Sequence, residues 1–460
     1  MHAKNATPLA QKLALYGIEC EPDGFSCWLN RSIDCVSKKD LERFQLPSCG
    51  GNSSGIKLMP SSLPLAGVFI GCRAYRDGCL NSVKSIVRET PDVKINLVVD
   101  DGGMTEQFVD QVMALGGNVN LIPAKRKNKI SSSDAPTFAR DLGVFGSESG
   151  VPTFIHMPYI NSQLDSSNTT LFKYISKVCQ FSPSQHSYIS KTDFQSLVHK
   201  AEKTLDAYGT PAELRAEFDA IWSEKENNTT SETYSMGGNF LPLPFDLLVV
   251  GRSNSDGASR GILNYFNQFQ TVLELNLPAH FGHIDEIFNV VPNDAPSASE
   301  CSFTILQASP KLLLTFLKKA SVSLHPSFYD LFTAQEDDIE MMNRTLIAWI
   351  KKARGNSSAC TPKVVKLPAS AGELLRWNKQ LVSFNPINGL SAGTVYFYSK
   401  PRMSIETGSV LSQALEFKIA EQLEAISIKA VPTDTQSYDS FGGNLHCATN
   451  EVRWACQPPQ

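Results

Sequence analysis

Long hydrophobic runs are missing from this sequence, and so is an excess of charge of either sign. No apolar stretch approaches the roughly 20 residues that a membrane-spanning helix needs, so we expect no membrane partner. A formal net charge of -4 provides no basic surface of the kind that binds nucleic acid, but it is compatible with a small cationic substrate. With 42% apolar residues over 460 positions, the chain is able to bury a large core.

Two local motifs are also missing. The eleven cysteines show none of the short paired spacings that are typical of zinc sites. The glycine-rich Asp101-Gly102-Gly103 lacks the Lys and the Ser or Thr of a phosphate-binding loop, so we interpret it as a turn. Metal-binding and nucleotide-binding functions therefore find no support in the sequence.

The cysteine content nevertheless indicates a cellular compartment. Eleven is an odd number, and if ten cysteines pair as disulfides, we expect Cys447 to be the free one. Chance would supply about half of the eight Asn-X-Ser/Thr glycosylation motifs, so they only favour a glycoprotein. We therefore predict a secreted, extracellular enzyme, with a reduced cytoplasmic one as the alternative. The motifs begin at Asn5, Asn30, Asn52, Asn168, Asn227, Asn228, Asn343 and Asn356.

The chain has two parts that differ in composition and in periodicity. Residues 1–62 are rich in Cys, Ser, Gly and Pro and show little periodicity, which predicts a Cys-rich N-terminal segment held by disulfides. In residues 63–460 strand and helix patterns alternate, which predicts a domain of the α/β class. The predicted strands are 65–70, 94–100, 118–122, 245–250, 271–275, 302–307, 363–367, 395–398 and 425–431. The predicted helices are 80–89, 104–115, 311–320, 335–352 and 410–423.

One short sequence occurs twice. Ser-Met-Gly-Gly-Asn-Phe-Leu at 235–241 returns as Ser-Phe-Gly-Gly-Asn-Leu-His at 440–446, with the same spacing and character. A turn that is reused in one chain favours a repeated α/β unit. The alternative is coincidence, because Gly-Gly-Asn is a common turn signal.

The second copy of this turn leads directly into Cys447, which we interpret as a nucleophile. The glycine pair permits backbone turns that are closed to other residues and presents a cysteine between hydrogen-bonding side chains. Most such cysteines are small buried hydrophobic residues, so the interpretation needs partners elsewhere in the chain.

His283 and Asp285 are the first candidate partners. If this segment is extended, side chains two positions apart face the same space. Asp141, in Arg140-Asp141-Leu142-Gly143, is a second candidate carboxylate. The competing interpretations are a satisfied core or surface pair for His283 and Asp285, and an Arg-Asp pair at a turn for Asp141.

A cysteine, a histidine and two aspartates together fit guanidine chemistry. Two carboxylates hold a planar guanidinium through paired charge-assisted hydrogen bonds. The cation stabilises a neighbouring thiolate, which attacks the guanidinium carbon. A histidine protonates the departing nitrogen and later activates water, so that the products are a ureido group and ammonia.

Three segments resemble the catalytic domain of protein-arginine deiminases: 283–292 (His-Ile-Asp-Glu-Ile-Phe-Asn-Val-Val-Pro), 306–310 (Leu-Gln-Ala-Ser-Pro) and 446–453 (His-Cys-Ala-Thr-Asn-Glu-Val-Arg). The resemblance implies a five-bladed α/β propeller (pentein) with a pseudo-fivefold repeat, in the guanidine-modifying superfamily, with its active site on the axis. It also implies hydrolysis of arginine in a protein or peptide substrate to citrulline. In that assignment Asp141 and Asp285 hold the guanidinium, His283 is the general acid and base, and Cys447 forms the covalent intermediate.

Several departures limit the resemblance. Calcium is implied by the family, but Leu142, Val144 and Leu241 stand where acidic ligands are expected, so we expect that no cofactor is required. Arg140 replaces a calcium-binding amide, and its charge is a candidate substitute for that of the metal. Phe138 stands where an aromatic wall residue packs on the methylene groups of the substrate. Positions 157–161 replace a pair of arginines that contact the peptide backbone.

Two alternatives remain. The segments Arg140-Asp141-Leu142-Gly143 and Gly443-Asn444-Leu445-His446-Cys447 are also similar to agmatine deiminases, which favours a small-molecule guanidine deiminase acting on agmatine or free arginine. The other alternative is an inactive relative that only binds arginine-containing peptides.

Overall fold

The computed structural model describes eighteen parts of the chain, and the statements below concern those parts. They comprise residues 8–20, 27–36, 56–72, 78–100, 104–124, 143–148, 151–156, 173–184, 237–252, 266–278, 281–293, 296, 300–321, 326–354, 360–370, 384–401, 408–435 and 444–453.

Helices and strands alternate over most of this sequence, as predicted. The α-helices are α1 (Pro8–Leu15), α2 (Gly78–Glu89), α3 (Glu106–Met113), α4 (Pro310–Lys319), α5 (Pro326–Arg354), α6 (Gly408–Glu424) and the single turn α7 (Leu445–Ala448). The strands are β1 (Ile18–Cys20), β2 (Cys27–Leu29), β3 (Ile56–Leu58), β4 (Leu65–Cys72), β5 (Lys94–Asp100), β6 (Val119–Ala124), β7 (Gly143–Glu148), β8 (Val151–His156), β9 (Ser182–Ser184), β10 (Phe240–Leu243), β11 (Leu247–Arg252), β12 (Thr271–Asn276), β13 (Phe288–Pro292), β14 (Glu300–Ser309), β15 (Thr361–Pro368), β16 (Leu390–Ala392), β17 (Val395–Ser399), β18 (Lys429–Thr433) and β19 (Thr449–Arg453).

Five of the sheets in these parts share one strand pattern. In each, an antiparallel pair is followed by a strand that runs parallel to its neighbour. Their strand orders are β10-β11-β12, β13-β14-β15, β16-β17-β18, β19-β4-β5-β6 and β3-β7-β8-β9. The α/β class predicted from the sequence is therefore correct.

One of these sheets joins distant parts of the chain. Strand β19 pairs antiparallel with β4, so that Thr449 lies opposite Ile70. Every residue of β4 is buried, as expected for an inner strand that is covered on both faces. The segment that carries Cys447 is therefore attached to the first of the predicted α/β strands.

Local sequence explains the ends of the elements. Helix α4 begins after Ser309, whose hydroxyl accepts a hydrogen bond from the Leu312 backbone N–H at 3.1 Å, and Pro310 occupies the first turn. Phe245 and Asp246 have positive φ angles of 72° and 58°. They form the tight turn between β10 and β11, and for this reason the second strand begins at Leu247 instead of the predicted 245.

The core contains two large clusters of buried apolar side chains. One is built around β4, β5 and β6, and the other around β13, β14 and the helices α4, α5 and α6. No helix within the described ranges is long and apolar enough to cross a membrane.

The N-terminal residues are linked to the sheets. Strand β3 pairs with β7, and a disulfide joins Cys35 to Cys179. The boundary that we placed at residue 62 stays a prediction. The other disulfides in the described ranges are Cys20–Cys27, Cys72–Cys79 and Cys301–Cys360.

Candidate active site

The candidate residues occupy one recurring position in the sheets, immediately before the first strand of the antiparallel pair. His283 and Asp285 precede β13, Asn388 precedes β16, and Cys447 precedes β19. Gly238, from the first copy of the repeated turn, precedes β10. Asn239 and Asn444, which end Gly-Gly-Asn in the two copies, both lie shortly before the first strand of a sheet, so the repeated pattern directs separate chain segments to one place.

His283, Asp285 and Cys447 converge there. Polar atoms of the three side chains all lie within 4.8 Å of one another. Asp285 is completely buried, Cys447 is 8% exposed, and His283 is half-buried. A half-buried imidazole beside a buried carboxylate and thiol places reactive groups where a substrate from solvent is able to reach them.

Gly238 forms one wall of this cluster. A Cβ atom at this position would lie 2.7 Å from Nδ1 of His283 and 3.1 Å from both carboxylate oxygens of Asp285. Only glycine permits such a close approach of the backbone to the two side chains.

Asn388 holds the cysteine from another side. Its Oδ1 accepts a hydrogen bond from the backbone N–H of Cys447 at 3.2 Å, and its Nδ2 lies 3.3 Å from Sγ. The carbonyl of Asn388 also accepts a hydrogen bond from the backbone N–H of His446. One side chain therefore fixes the backbone of α7 and donates a hydrogen bond toward the sulfur.

The loop that carries Asn388 is held rigidly. Asn289 donates hydrogen bonds to the carbonyls of Ile387 and Gly389, both at 2.9 Å, and the Tyr396 hydroxyl lies 2.7 Å from the Ile387 carbonyl. Burial raises the pKa of Tyr396 well above its ordinary value of 10, so its hydroxyl keeps its proton. These buried contacts fix the position of Asn388 before any ligand binds.

A line of buried ionisable side chains runs behind the cluster. Oδ2 of Asp285 lies 2.6 Å from Nδ1 of His446, and Nε2 of His446 lies 3.6 Å from Oε1 of Glu451. Arg453 donates to the other Glu451 oxygen through Nε at 2.8 Å and Nη2 at 2.7 Å. All four residues are buried, and a buried charge is tolerable only when it is paired in this way.

No protein-family model and no curated protein matches the sequence. Solved structures with a similar fold include an agmatine deiminase of C. jejuni, which is 11% identical with a TM-score of 0.52 over 88% of this chain and 98% of that one. A protein provisionally assigned as a peptidyl-arginine deiminase is 11% identical, with a TM-score of 0.50 over 87% and 99%. The chain has the fold of these deiminases. Both neighbours are members of the guanidine-modifying superfamily. The resemblance to deiminases that we inferred from the sequence is therefore confirmed at the level of the fold.

The structure corrects our expectation that the segment containing His283 and Asp285 is extended. Residues Ile284–Glu286 form a 3-10 turn and are not extended, with His283 immediately before it. His283 and Asp285 still share one space, because the tight turn and Gly238 bring them together. His446, which an extended segment would direct away from the site, lies in the helical turn α7 and reaches Asp285.

Asp141, Phe138 and Arg140 lie outside the described residues. The structure begins again at Gly143, whose carbonyl accepts a hydrogen bond from Nδ2 of Asn450 at 2.7 Å. Asn450 belongs to β19, so the chain that follows Asp141 is tied to the strand that follows Cys447.

The site also contains side chains that are able to ligate a metal ion. A carboxylate, an imidazole and a thiolate within 4.8 Å of one another are able to ligate a divalent ion such as zinc. Val144 and Leu241, at positions of expected calcium ligands, are buried apolar side chains without oxygen donors beyond the backbone.

Sequence reasoning missed Asn388 and Gly238. Asn388 stands in Asn-Pro-Ile-Asn-Gly at 385–389, which carries an ordinary turn signal. Gly238 was noticed only as part of the repeated turn. The signal that identifies Gly238 is its place in that repeat, because the other copy leads into the cysteine.

Proposed function

We propose that this chain hydrolyses a guanidinium group to a ureido group and ammonia, with Cys447 as the nucleophile. The observation that carries the proposal is the convergence of Cys447, His283 and Asp285 within 4.8 Å. Eight of the described cysteines form four disulfides, and Cys447 is not one of these eight.

In the first half of the reaction, Asp285 and Asp141 hold the guanidinium through charge-assisted hydrogen bonds. The Cys447 thiolate attacks the guanidinium carbon and forms a tetrahedral adduct. A cation about 4 Å from the thiolate stabilises it by on the order of 4 kcal/mol at an effective dielectric constant near 20. His283 then gives a proton to the departing nitrogen, the C–N bond breaks, and ammonia leaves a thiouronium bound to the enzyme.

In the second half, His283 takes a proton from water. The resulting hydroxide attacks the same carbon, the C–S bond breaks, and the ureido product leaves with Cys447 restored as a thiolate. One guanidinium and one water are consumed for each ureido group and ammonium ion that form. The nucleophile stays in place because Asn388 holds both its backbone and its sulfur.

A small guanidine compound such as agmatine is our first substrate candidate. The fold neighbours include agmatine deiminases, and 98% of the C. jejuni protein is covered by this chain. The sequence also replaces, at 157–161, the arginines that protein-arginine deiminases use on the peptide backbone.

A protein-bound arginine is the second substrate candidate. The segments 283–286, with Ala308-Ser309-Pro310 downstream, and 449–453 are closer to protein-arginine deiminases than to agmatine deiminases, and the first of them includes His283 and Asp285. Phe138 and Arg140 are the proposed contacts beside Asp141 with either substrate.

We also propose that the five repeated sheets are the five blades of a propeller around the candidate site. In this arrangement the turn before each first strand faces the common axis. We propose that turnover needs no calcium, because Val144 and Leu241 are buried apolar residues at places where the family has acidic ligands.

The decisive experiment is to measure ammonia and ureido product from agmatine, free arginine and a blocked arginine peptide, each with and without a metal chelator. Cys447→Ala is the control for background hydrolysis. We expect turnover of agmatine that is insensitive to the chelator and absent in Cys447→Ala.

Each other outcome has a distinct meaning. Preference for the peptide supports the second substrate candidate. Activity that the chelator abolishes overturns the proposal that turnover needs no metal ion, and the Cys447→Ala control then tests the thiouronium mechanism separately. If calorimetry detects binding of a guanidine compound and no turnover is observed, the protein only binds arginine-type ligands. That result would overturn the enzymatic proposal.

A further inference from the structure

His446 lies beside the nucleophile in the sequence but contacts the carboxylate of another segment. It is separated from Asp285 by 161 positions, and its Nδ1 lies 2.6 Å from Oδ2 of Asp285. The two side chains are 2% and 0% exposed, so solvent does not compete for this contact. A hydrogen bond between buried groups, one of them charged, is stronger and more directional than one at the surface.

The other side of the imidazole faces a second buried carboxylate. Oε1 of Glu451 lies 3.6 Å from Nε2, and the Glu451 carboxylate is held by two nitrogens of Arg453. Arg453 in turn donates to the carbonyls of Leu63 at 2.6 Å and Ser391 at 2.5 Å. Leu63 lies in the bend before β4 and Ser391 lies in β16, so Arg453 and the Glu451 carboxylate that it holds are anchored to two separate parts of the fold.

We propose that His446 is a positioning residue for Asp285. By donating from Nδ1 to Oδ2, it sets the rotation of the carboxylate that faces His283 and Cys447. An ionised aspartate only accepts hydrogen bonds, so a carboxylate at 2.6 Å selects the tautomer with the proton on Nδ1. The dipeptide His446-Cys447 thus places the nucleophile and, through its imidazole, orients the group that receives the cation.

This inference rests on the proposed function, because a rotated Asp285 matters only when a cation binds beside Cys447. A purely structural role would change stability and leave recognition of a cation untouched. The two roles are therefore separated by comparing a cationic with a neutral reagent at the same sulfur.

The experiment measures the alkylation rate of Cys447 by a haloacetamidine, which carries a planar amidinium, and by neutral iodoacetamide. We compare His446→Asn, which places an amide N–H near the position of Nδ1, with the near-isosteric His446→Leu. Asn96→Leu is the matched control, because Asn96 is completely buried in β5 outside the cluster and donates to the Cys35 carbonyl.

We expect the rate ratio of the cationic to the neutral reagent to fall about 30-fold in His446→Leu, in line with the loss of a hydrogen bond to a charged group. The ratio in His446→Asn and Asn96→Leu should stay within about threefold of wild type. With agmatine, the same loss should raise KM more than it lowers kcat, since Asp285 binds the cation before the reaction.

An unchanged ratio in His446→Leu would overturn the proposal, and so would an equal loss in His446→Asn. If His446→Leu does not fold, His446→Gln replaces it, because its amide lies near Nε2 and should not rescue the ratio. The test is independent of turnover. A wild-type protein that hydrolyses no guanidine but shows the expected order of ratios contradicts the proposed function and retains the role of His446.

Discussion

The side chain of Asn388 makes two contacts with Cys447. Its Oδ1 accepts a hydrogen bond from the Cys447 backbone N–H at 3.2 Å, and its Nδ2 lies 3.3 Å from Sγ. A side chain that donates toward sulfur stabilises the thiolate over the thiol. Because Asn388 is 1% exposed and its loop is held by Asn289 and Tyr396, the contact does not depend on a bound ligand.

Replacement of Asn388 by Leu should therefore lower the reactivity of Cys447. We expect the rate of alkylation by iodoacetamide at neutral pH and kcat for the best guanidine substrate to fall together, each about tenfold or more. Asn96→Leu, the same substitution at another buried position, should leave both rates unchanged. Equal rates in Asn388→Leu and wild type would show that the contact to sulfur has no effect on the thiolate.

Substitution of Gly238 by Ala should disrupt the cluster more than the fold. The added Cβ would lie 2.7 Å from Nδ1 of His283, so the imidazole and Asp285 have to move. A displacement of reacting groups by about 1 Å costs on the order of 100-fold in kcat/KM. Gly117→Ala is the matched control, because its added Cβ has no neighbour within 4 Å. Steady-state kinetics together with thermal unfolding measure both effects, and full activity in Gly238→Ala would contradict the geometry.

The pair between Glu340 of α5 and Lys366 of β15 should make stability depend on pH. Burial alone would raise the pKa of Glu340, but hydrogen bonds from Lys366 and Gln307 outweigh it and hold the pKa below its ordinary value of 4.5. A carboxyl with a lowered folded-state pKa stabilises the protein above pH 4.5 and loses that contribution as the pH falls through its folded pKa.

We therefore expect Glu340→Gln to be less stable than wild type by about 1 kcal/mol at pH 7. The difference should close in acid below the ordinary glutamate pKa. Glu421→Gln is the control, because Glu421 pairs with Lys418 at the surface and is 55% exposed. Denaturant unfolding of the three proteins at several pH values measures these differences. A gap that persists in acid would mean that the amide perturbs packing and not charge.

Two glycosylation motifs of the described chain should behave differently. Asn30 is exposed after β2, whereas Asn343 lies in helix α5 and is 8% exposed. If the chain folds in an oxidising secretory compartment, we expect a glycan at Asn30 and none at Asn343. Peptide mass spectrometry after enzymatic deglycosylation in heavy-oxygen water distinguishes the two sites. Occupancy of Asn343 would mean that α5 forms only after modification, and a reduced, unmodified protein would favour the cytoplasmic alternative.

The sequence predicted those elements whose pattern is long and periodic. Strand 94–100 and helix 311–320 were found within one residue of their observed ends, because buried runs and amphipathic spacing are local properties. The first strands β10, β13, β16 and β19 were not predicted. They are three to five residues long and buried throughout, so they show no alternation that separates them from loops.

The candidate site was also predicted only in part. Cys447, His283 and Asp285 were predicted because guanidine chemistry demands these residue types and because their segments resemble a family. The contact of His446 with Asp285 was not predictable, since 161 positions separate the residues and the helical turn α7 is not visible in a four-residue sequence. The roles of Asp141, Phe138 and Arg140 stay predictions.

The pairing of β19 with β4 determines when during synthesis the candidate site can be completed. A nascent chain that still lacks residues 444–453 already contains His283, Asp285 and Asn388 but not Cys447, the proposed nucleophile. It also exposes the edge of β4, a fully buried strand in the finished protein and thus a hazard for aggregation. Because this contact spans most of the described chain, its closure should be a late and slow folding step. The proposed chemistry therefore becomes possible only after the C-terminal strand has been synthesised and has paired with β4.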